Sequence, residues 1–310
     1  PPPTGRPVLS VKGLTTRFPM RGGLLRRVVA NVHAVEDVSF TLPAGQTLAL
    51  VGESGCGKST TARSILRLVE PTAGEVILDG QDIRGLDAGG LRQARRHMQM
   101  VFQDPFASLN PYRRLRAQVA EPLMNFGHPR GTEMDDRIAA LFDRVRLPRD
   151  YLRRFPHELS GGQRQRVAIA RALALNPRLI VADEAVSALD VSVQAQVLNL
   201  MMELQRDLGL SYLFISHDMA VVERVAHRVG VMYLGRIVEI GPRAAIFEDP
   251  QHPYTRALLS AIPIADPATR RAVGDEVTFR AIPSPVFPAG HTPAPSRYRT
   301  VGPDHLVLEG

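Results

Sequence analysis

Nine consecutive residues after an apolar run have the types and spacing needed to bind a phosphate group. They are Gly52, Glu53, Ser54, Gly55, Cys56, Gly57, Lys58, Ser59 and Thr60. The glycines allow successive backbone N–H groups to form an anion-binding nest, and the N-terminus of a following helix adds about half a positive charge. Lys58 can bind the β- and γ-phosphates, and the Ser59 hydroxyl can ligate Mg²⁺. The loop predicts a nucleotide site, in which we interpret Cys56 as a small packing residue rather than a nucleophile.

Two carboxylates follow a second apolar run, Leu179–Ala182, which predicts a buried strand. Asp183 and Glu184 come at its carboxyl end, where ligands bind in open α/β sheets. Asp183 can hold Mg²⁺ because hard cations prefer oxygen ligands. Glu184 is predicted to orient or deprotonate the water that attacks a γ-phosphate. Without the phosphate loop, the same pair would be interpreted as a solvated acidic end of a core strand.

The scarcity of lysine excludes one class of nucleotide-binding protein. Guanine is recognised by an Asn-Lys-x-Asp motif, which requires a lysine outside the phosphate loop. Lys12 is the only such lysine, and it is followed by Gly13 and Leu14. The motif is therefore absent, which excludes a GTPase.

A second potential anion site lies in the run Leu159–Gln163, which reads Leu-Ser-Gly-Gly-Gln. Ser160 and the backbone amides of Gly161 and Gly162 can cap the N-terminus of the helix that follows, where a γ-phosphate could bind. With Gln163, this run resembles the signature motif of ATP-binding cassette (ABC) ATPases. The resemblance implies that the motif closes over the nucleotide of a second cassette, so that ATP is held between two cassettes.

Further motifs of that family follow in order. By resemblance, Gln103 contacts Mg²⁺ and water, and Asp190 in the run Ser187–Asp190 belongs to a loop that crosses the interface between cassettes. His217 resembles the switch histidine, which bridges the γ-phosphate, water and Glu184. The resemblance implies ATP and Mg²⁺ as cofactors, with Ser59, Gln103 and Asp183 as the groups nearest the metal.

The residue that stacks on adenine has two candidates. Phe18 is preferred for its position in the first sheet segment, and His33 is the alternative, because an insertion over Arg21–Asn31 separates the two.

The elements that position these motifs alternate between strand and helix patterns. Thr47–Val51 predicts a buried parallel strand, Arg63–Val69 a helix after the loop, and about 110–160 a helical insertion. The predicted fold is α/β: a P-loop NTPase (RecA-like) core with a mainly parallel sheet, an antiparallel N-terminal β-subdomain and the inserted α-helical subdomain. We predict a linker over 1–7, the ABC ATP-binding domain over 8–263 and a C-terminal extension over 264–310, whose order the sequence leaves open.

Two stretches resemble the peptide-import branch of the family, Phe102–Pro111 and Pro250–Leu259. His217–Pro242 resembles the second cassette of fused two-cassette ATPases that import glutathione. The tail has no cysteine for the iron–sulfur cluster of many members, and Ala185-Val186 replaces the common Pro-Thr. Because the chain starts with proline and carries one phosphate loop, we interpret it as the C-terminal half of such a protein or an excised piece.

Length, charge and composition limit the classes of protein to which the chain could belong. The 310 residues carry a net charge of +7, one cysteine and no apolar run of the roughly 20 residues that a membrane helix needs. The resemblance predicts a peripheral subunit at the cytoplasmic face of a bacterial inner membrane, partnered by a second cassette, two permeases and, indirectly, a periplasmic binding protein. The alternative is a soluble ABC ATPase acting on nucleic acid, which the positive charge permits. It is disfavoured because only 102 positions separate Lys58 from Ser160, too few for a long coiled coil.

Overall fold

The computed structural model describes residues 6–22, 26–104, 108–128, 131–261 and 284–309. The first residues of the predicted linker, positions 105–107 of the first import-branch stretch and positions 264–283 of the predicted extension lie outside the described residues. The chain divides into two compact units. The first comprises Pro1–Leu9, Thr41–Thr47 and Ile77–Ile215, and the second comprises Ser10–Phe40, Leu48–Val76 and Ser216–Gly310.

The described strands are β1 (Leu9–Gly22), β2 (Arg27–Leu42), β3 (Thr47–Val51), β4 (Ala73–Leu78), β5 (Gln81–Asp82), β6 (Met98–Val101), β7 (Leu179–Asp183), β8 (Ser211–Ser216), β9 (Arg228–Tyr233), β10 (Arg236–Pro242), β11 (Val286–Pro288), β12 (Tyr298–Gly302) and β13 (His305–Leu308). The described α-helices are α1 (Lys58–Ile65), α2 (Ala88–Ala94), α3 (Leu115–Asn125), α4 (Thr132–Arg144), α5 (Gly161–Leu173), α6 (Val191–Leu208), α7 (Met219–Val225), α8 (Arg243–Glu248) and α9 (Pro253–Ser260). Short 3-10 helices cover Arg149–Arg153 and Pro156–Glu158.

In the first unit, strands β6, β7 and β8 pair in parallel, with β7 in the middle. All five residues of β7 are buried. A continuous apolar run is what a strand covered on both faces requires, so the sequence pattern and the pairing agree. The strand therefore places Asp183 at its carboxyl end on a rigid element.

The helical segment predicted near 110–160 contains α3, α4 and both 3-10 helices. Met134, Ile138, Leu141 and Phe142 are buried along one face of α4. Their spacing of four, three and one matches a 3.6-residue period, which explains why this helix packs with an apolar stripe inward.

In the second unit, β3 pairs in parallel with β9, and β9, β10, β13 and β12 continue as antiparallel neighbours. A separate antiparallel sheet has the order β11, β2, β1 and β4. The residues from 284 to 309, whose order the sequence left open, supply β11 to one sheet and the β12–β13 hairpin to the other.

The helix after the phosphate loop begins earlier than the sequence predicts. The prediction was Arg63–Val69, whereas α1 spans Lys58–Ile65 and Arg67 has a left-handed φ of 49°. The first turn contains Ser59, Thr60 and Thr61, and serine and threonine have low helix propensity, so the sequence pattern did not indicate a helix there. Thr61 donates both its N–H, at 2.8 Å, and its hydroxyl, at 3.0 Å, to the Gly57 carbonyl oxygen, which closes the first turn directly after the loop.

Candidate functional site

The phosphate loop joins the buried strand β3 to α1 by a backbone path that only glycine can follow. Gly52 has a φ of 146° and Gly57 a φ of 107°. A Cβ atom would lie 2.2 Å from the Met232 carbonyl oxygen at Gly52, and 2.3 Å from the Ala34 carbonyl oxygen at Gly57. Both approaches are far inside van der Waals contact. The glycines are therefore needed to curl the loop, as a backbone anion cradle requires.

The N-terminus of α1 is free of acidic residues in its first turn, and Gly57 provides no side-chain cap. The Lys58 ammonium donates hydrogen bonds to the Gly52 and Glu53 carbonyl oxygens, each at 2.7 Å. Lys58 is buried, so its charge is fixed along the loop. A helix N-terminus with a fixed cation suits a phosphate chain, and this donor set fits a nucleoside triphosphate.

Cys56 is buried within the loop. Burial raises the pKa of its thiol, although the nearby Lys58 acts in the opposite direction. A buried thiol with a raised pKa stays protonated at neutral pH, as expected for a packing residue.

A cavity of about 120 Å³ adjoins the phosphate loop within the second unit. Its lining residues are Val32, His33, Ala34, Glu53, Ser54, Gly55, Cys56, Tyr233, Leu234, Gly235 and Pro285. His33 lies on β2, and its Nδ1 is 2.9 Å from Glu36 Oε2. Burial lowers the pKa of His33. The lining thus combines the loop with a neutral aromatic ring.

Phe18, the preferred candidate for stacking on adenine, does not line this cavity. It lies on β1 with a fractional exposure of 40%. The alternative candidate, His33, does line the cavity, and its ring packs 4.8 Å from that of Phe287. Which of the two residues contacts adenine stays a prediction.

In the first unit, the structure brings Gln103 and Glu184 together. Gln103 Nε2 donates to Glu184 Oε2 at 2.8 Å. Glu184 has a left-handed φ of 49°, and its backbone N–H donates to the Ile215 carbonyl at 3.0 Å. Backbone of this kind in a non-glycine residue is often retained for function. The neighbouring Asp183 is buried. The arrangement can aim one carboxylate at a water while the other faces a cation.

The predicted signature residues form the N-terminus of α5. Ser160 is the N-cap: its hydroxyl accepts from the Gln163 N–H at 3.4 Å, while Gln163 Oε1 accepts from the Ser160 N–H at 3.0 Å. No acidic residue lies in the first turn. This reciprocal capping box fixes the helix end, and with it the amides of Gly161 and Gly162.

Two further predicted residues lie at the ends of elements. Asp190 is the N-cap of α6, and its carbonyl oxygen accepts from the Gln194 N–H at 2.8 Å. His217 is exposed between β8 and α7, next to Asp218, which caps α7 with its side chain. The roles of Asp190 and His217 stay predictions.

One contact to the loop was not predicted from the sequence. Tyr254 Oη accepts a hydrogen bond from the Glu53 N–H at 3.0 Å. The residue belongs to Pro250–Leu259, which the sequence marks as a family feature, but no pattern connects it to a loop some 200 residues away.

In the part of the chain that the structure describes, no group of three or more His, Cys, Asp or Glu side chains could hold a metal ion. Mg²⁺ does not need such a cage, because it commonly binds one or two carboxylates together with phosphate oxygens and water. A hydroxyl at Ser59 and a carboxylate at Asp183 are ligands of that kind. Within the described residues, no helix has the length and apolarity to cross a membrane.

Two family models and several curated proteins are similar in sequence to this chain. The family model described as ABC transporter matches residues 35–187, and that described as oligopeptide/dipeptide transporter, C-terminal region, matches 238–284. The glutathione import ATP-binding protein of Pectobacterium atrosepticum is 56% identical over 306 residues, covering 99% of this chain and 49% of the relative. That of Escherichia coli K12 is 55% identical over 309 residues, covering 98% and 49%. The chain thus spans about half the length of the curated relatives it matches.

Solved structures give the same picture. The cbiO1 protein of Clostridium perfringens, part of the ABC transporter complex cbiONQ, superimposes with a TM-score of 0.68 at 25% identity, covering 79% of this chain and 92% of that one. A dimeric ATP-binding cassette in a post-hydrolysis state with ADP and Pi gives 0.65 at 29% identity, covering 76% and 98%. The α/β fold with its antiparallel sheet is therefore that of an ATP-binding cassette.

Proposed function

The ATP-binding domain of this chain belongs to the ABC transporter family, and we propose that the chain binds and hydrolyses ATP to energise the import of short peptides, with glutathione as the specific cargo. The match to the oligopeptide/dipeptide transporter model supports peptides as the class of cargo. The names of the relatives, about half of whose length the chain covers, support glutathione as the cargo. The observation that carries the proposal is the phosphate loop, with its obligatory glycines, uncapped helix end and buried Lys58.

ATP binding rests on the second unit. The amides of the loop and the α1 N-terminus would bind the phosphates, with the Lys58 ammonium neutralising their charge. His33 would stack on the adenine ring, because its buried, neutral aromatic side chain lines the cavity beside the loop.

Hydrolysis requires a positioned water and a stabilised phosphoryl group. Ser59 and Asp183 would hold Mg²⁺, with Gln103 near it; the ion supplies positive charge to the β- and γ-phosphate oxygens. Glu184 would orient or deprotonate the attacking water, and its bond from Gln103 fixes the carboxylate that does so. His217 would add a hydrogen bond to the γ-phosphate.

The proposed partners follow from the capped helix α5. The amides at Ser160, Gly161 and Gly162 would contact the γ-phosphate bound to a second cassette, and Asp190 would lie at the interface between cassettes. A solved relative of the same fold is a dimer, which supports a paired assembly. Two permeases, a periplasmic binding protein and a position at the cytoplasmic face of the inner membrane complete the proposal. The nucleic-acid alternative gains no support, because the matched relatives are named as importers.

The test uses the purified protein with its partner cassette and permeases in liposomes. We expect ATP hydrolysis that increases when binding protein and glutathione are added, together with glutathione uptake. Lys58→Ala should abolish nucleotide binding and uptake. Hydrolysis coupled to dipeptides but not glutathione would refute the cargo alone, whereas ATP binding that survives Lys58→Ala unchanged would refute the site.

A further inference from the structure

Tyr254, outside every predicted motif of the nucleotide site, holds the phosphate loop at its first turn. Its hydroxyl accepts the Glu53 N–H at 3.0 Å, while the Glu53 carbonyl accepts the Lys58 ammonium at 2.7 Å. Glu53 is thus held through both of its backbone polar groups. The bond that Glu53 donates to Tyr254 fixes the residue whose carbonyl oxygen accepts from the Lys58 ammonium.

The ring of Tyr254 is itself fixed. It is buried and packs against Tyr233, which lines the cavity beside the loop, with ring centroids 4.4 Å apart. Burial raises the pKa of Tyr254 to about 12, so the phenol keeps its proton at physiological pH. The hydroxyl is therefore a neutral acceptor in a defined place.

A buried carboxylate anchors the segment that carries Tyr254. Glu239, with no exposed surface, accepts the Gln251 N–H at 2.8 Å on Oε1 and the His252 N–H at 2.9 Å on Oε2. His305, on β13, places its Nε2 2.8 Å from Glu239 Oε1. His252 Nδ1 then accepts the Tyr254 N–H at 3.1 Å. A continuous set of hydrogen bonds thus connects the C-terminal hairpin with the loop.

We propose that Tyr254 is a positioning residue for nucleotide binding, which holds the phosphate loop through Glu53 and makes nucleotide affinity depend on the C-terminal region through Glu239 and His305. The inference rests on the proposed binding of ATP at the loop. It assigns the segment Gln251–Tyr254 a role in the nucleotide site of its own chain.

The test is Tyr254→Phe, which removes the hydroxyl and keeps the ring. Tyr212→Phe is the matched control, because the buried Tyr212 hydroxyl also bonds to backbone, at Met201 O, and lies in the first unit, outside the set of bonds around Glu239. In the full protein we expect Tyr254→Phe to weaken ADP and ATP binding by about threefold to tenfold, the equivalent of one neutral hydrogen bond. The KM for ATP should rise by a similar factor. The kcat at saturating ATP should change less than about twofold, since neither partner of the Glu53–Tyr254 hydrogen bond is assigned a contact with the reacting atoms.

A double-mutant cycle tests the connection to the C-terminal hairpin. His305→Ala removes the group beside Glu239 Oε1, so it should weaken nucleotide binding in the wild-type background and have a much smaller effect in the Tyr254→Phe background, because both act on one set of bonds. Thermal unfolding of the nucleotide-free variants measures stability separately.

Three results would overturn the inference. These are unchanged nucleotide affinity in Tyr254→Phe, an equal loss in Tyr212→Phe, and additive effects of His305→Ala and Tyr254→Phe. The first two leave the proposed function intact when the wild type binds ATP. Failure of the wild type to bind ATP would instead refute the proposed function, and this inference with it.

Discussion

Among individual residues, Glu184 is constrained at both its backbone and its side chain. Its left-handed backbone and the bond from Gln103 point its carboxylate in one direction. The sequence predicted both residues as functional, because each belongs to a recognisable motif. Their hydrogen bond could not be predicted, since 81 positions separate them and only the pairing of the elements brings them together.

Replacing Glu184 by Gln should stop turnover without preventing ATP binding. The amide keeps the size of the side chain but cannot accept a proton, so we expect the hydrolysis rate to fall by about 100-fold or more. Phosphate release and equilibrium ATP binding measure the two effects. Glu203→Gln, at a surface ion pair with Arg146, is the control. Turnover above a tenth of the wild-type rate would show that another group activates the water.

Substitution of His33 and of Phe18 tests which of the two residues stacks on adenine. His33→Ala should weaken ATP binding by about threefold to tenfold, the value of one aromatic stacking contact. Phe18→Ala, on the same sheet but away from the cavity, should change it by less than about twofold, since it loses no such contact. Titration with a fluorescent ATP analogue measures both. A larger loss in Phe18→Ala would return the assignment to Phe18.

Among the elements, the N-terminus of α5 has two adjacent glycines, of which packing leaves room for a side chain at only one. A Cβ atom on Gly162 would lie 2.3 Å from Val193 Cγ1 on α6, whereas one on Gly161 would lie 3.4 Å from Leu189 Cδ2. The sequence predicted both glycines as a single anion motif. It could not separate them, because the separation depends on which side of the helix faces α6.

Gly162→Ala should therefore destabilise the fold, and Gly161→Ala should not. Valine is stiff at χ1, so the overlap forces a shift that costs about 1–3 kcal/mol of unfolding free energy. Gly161→Ala should change stability by about 0.5 kcal/mol or less, because its added methyl meets ordinary contact. Urea denaturation compares the two variants. Equal destabilisation would mean that the α5–α6 contact is not as close as described.

Across the molecule, burial keeps several histidines neutral. It lowers the pKa of His33, His227 and His252 from the ordinary value of 6.5. Between the lowered folded pKa and 6.5, the unfolded chain binds more protons than the folded chain. Their contribution to stability is thus complete above pH 6.5 and is lost as the pH falls through the folded pKa values.

We therefore expect the free energy of unfolding to fall between pH 7.5 and 5.5. His252→Asn should reduce this pH dependence, because asparagine can still cap α9 and does not titrate. Denaturation at several pH values, for wild type and variant, measures the difference. A wild-type stability that stays constant or rises toward pH 5.5 would contradict this interpretation.

The fold and the phosphate site could be predicted from the sequence to different degrees. The strand–loop–helix around Lys58 and the buried strand before Asp183 carry local patterns, so their types and places were predictable. The contributions of His33, Pro285 and Tyr254 to the surroundings of the loop come from residues distant in sequence. Pairing between strands, such as Val286 with Val32, brings Pro285 and His33 together, whereas Tyr254 reaches the loop from α9 through its bond to the Glu53 N–H.

A structure of the Glu184→Gln protein with its partner cassette and Mg·ATP would decide between the proposed account and its alternatives. We expect the β- and γ-phosphates to contact the amides from Gly52 to Thr60 and the Lys58 ammonium, and the γ-phosphate to contact Ser160 and the amides that follow it from the opposing cassette. A nucleotide bound elsewhere, or one contacted by a single cassette only, would contradict it.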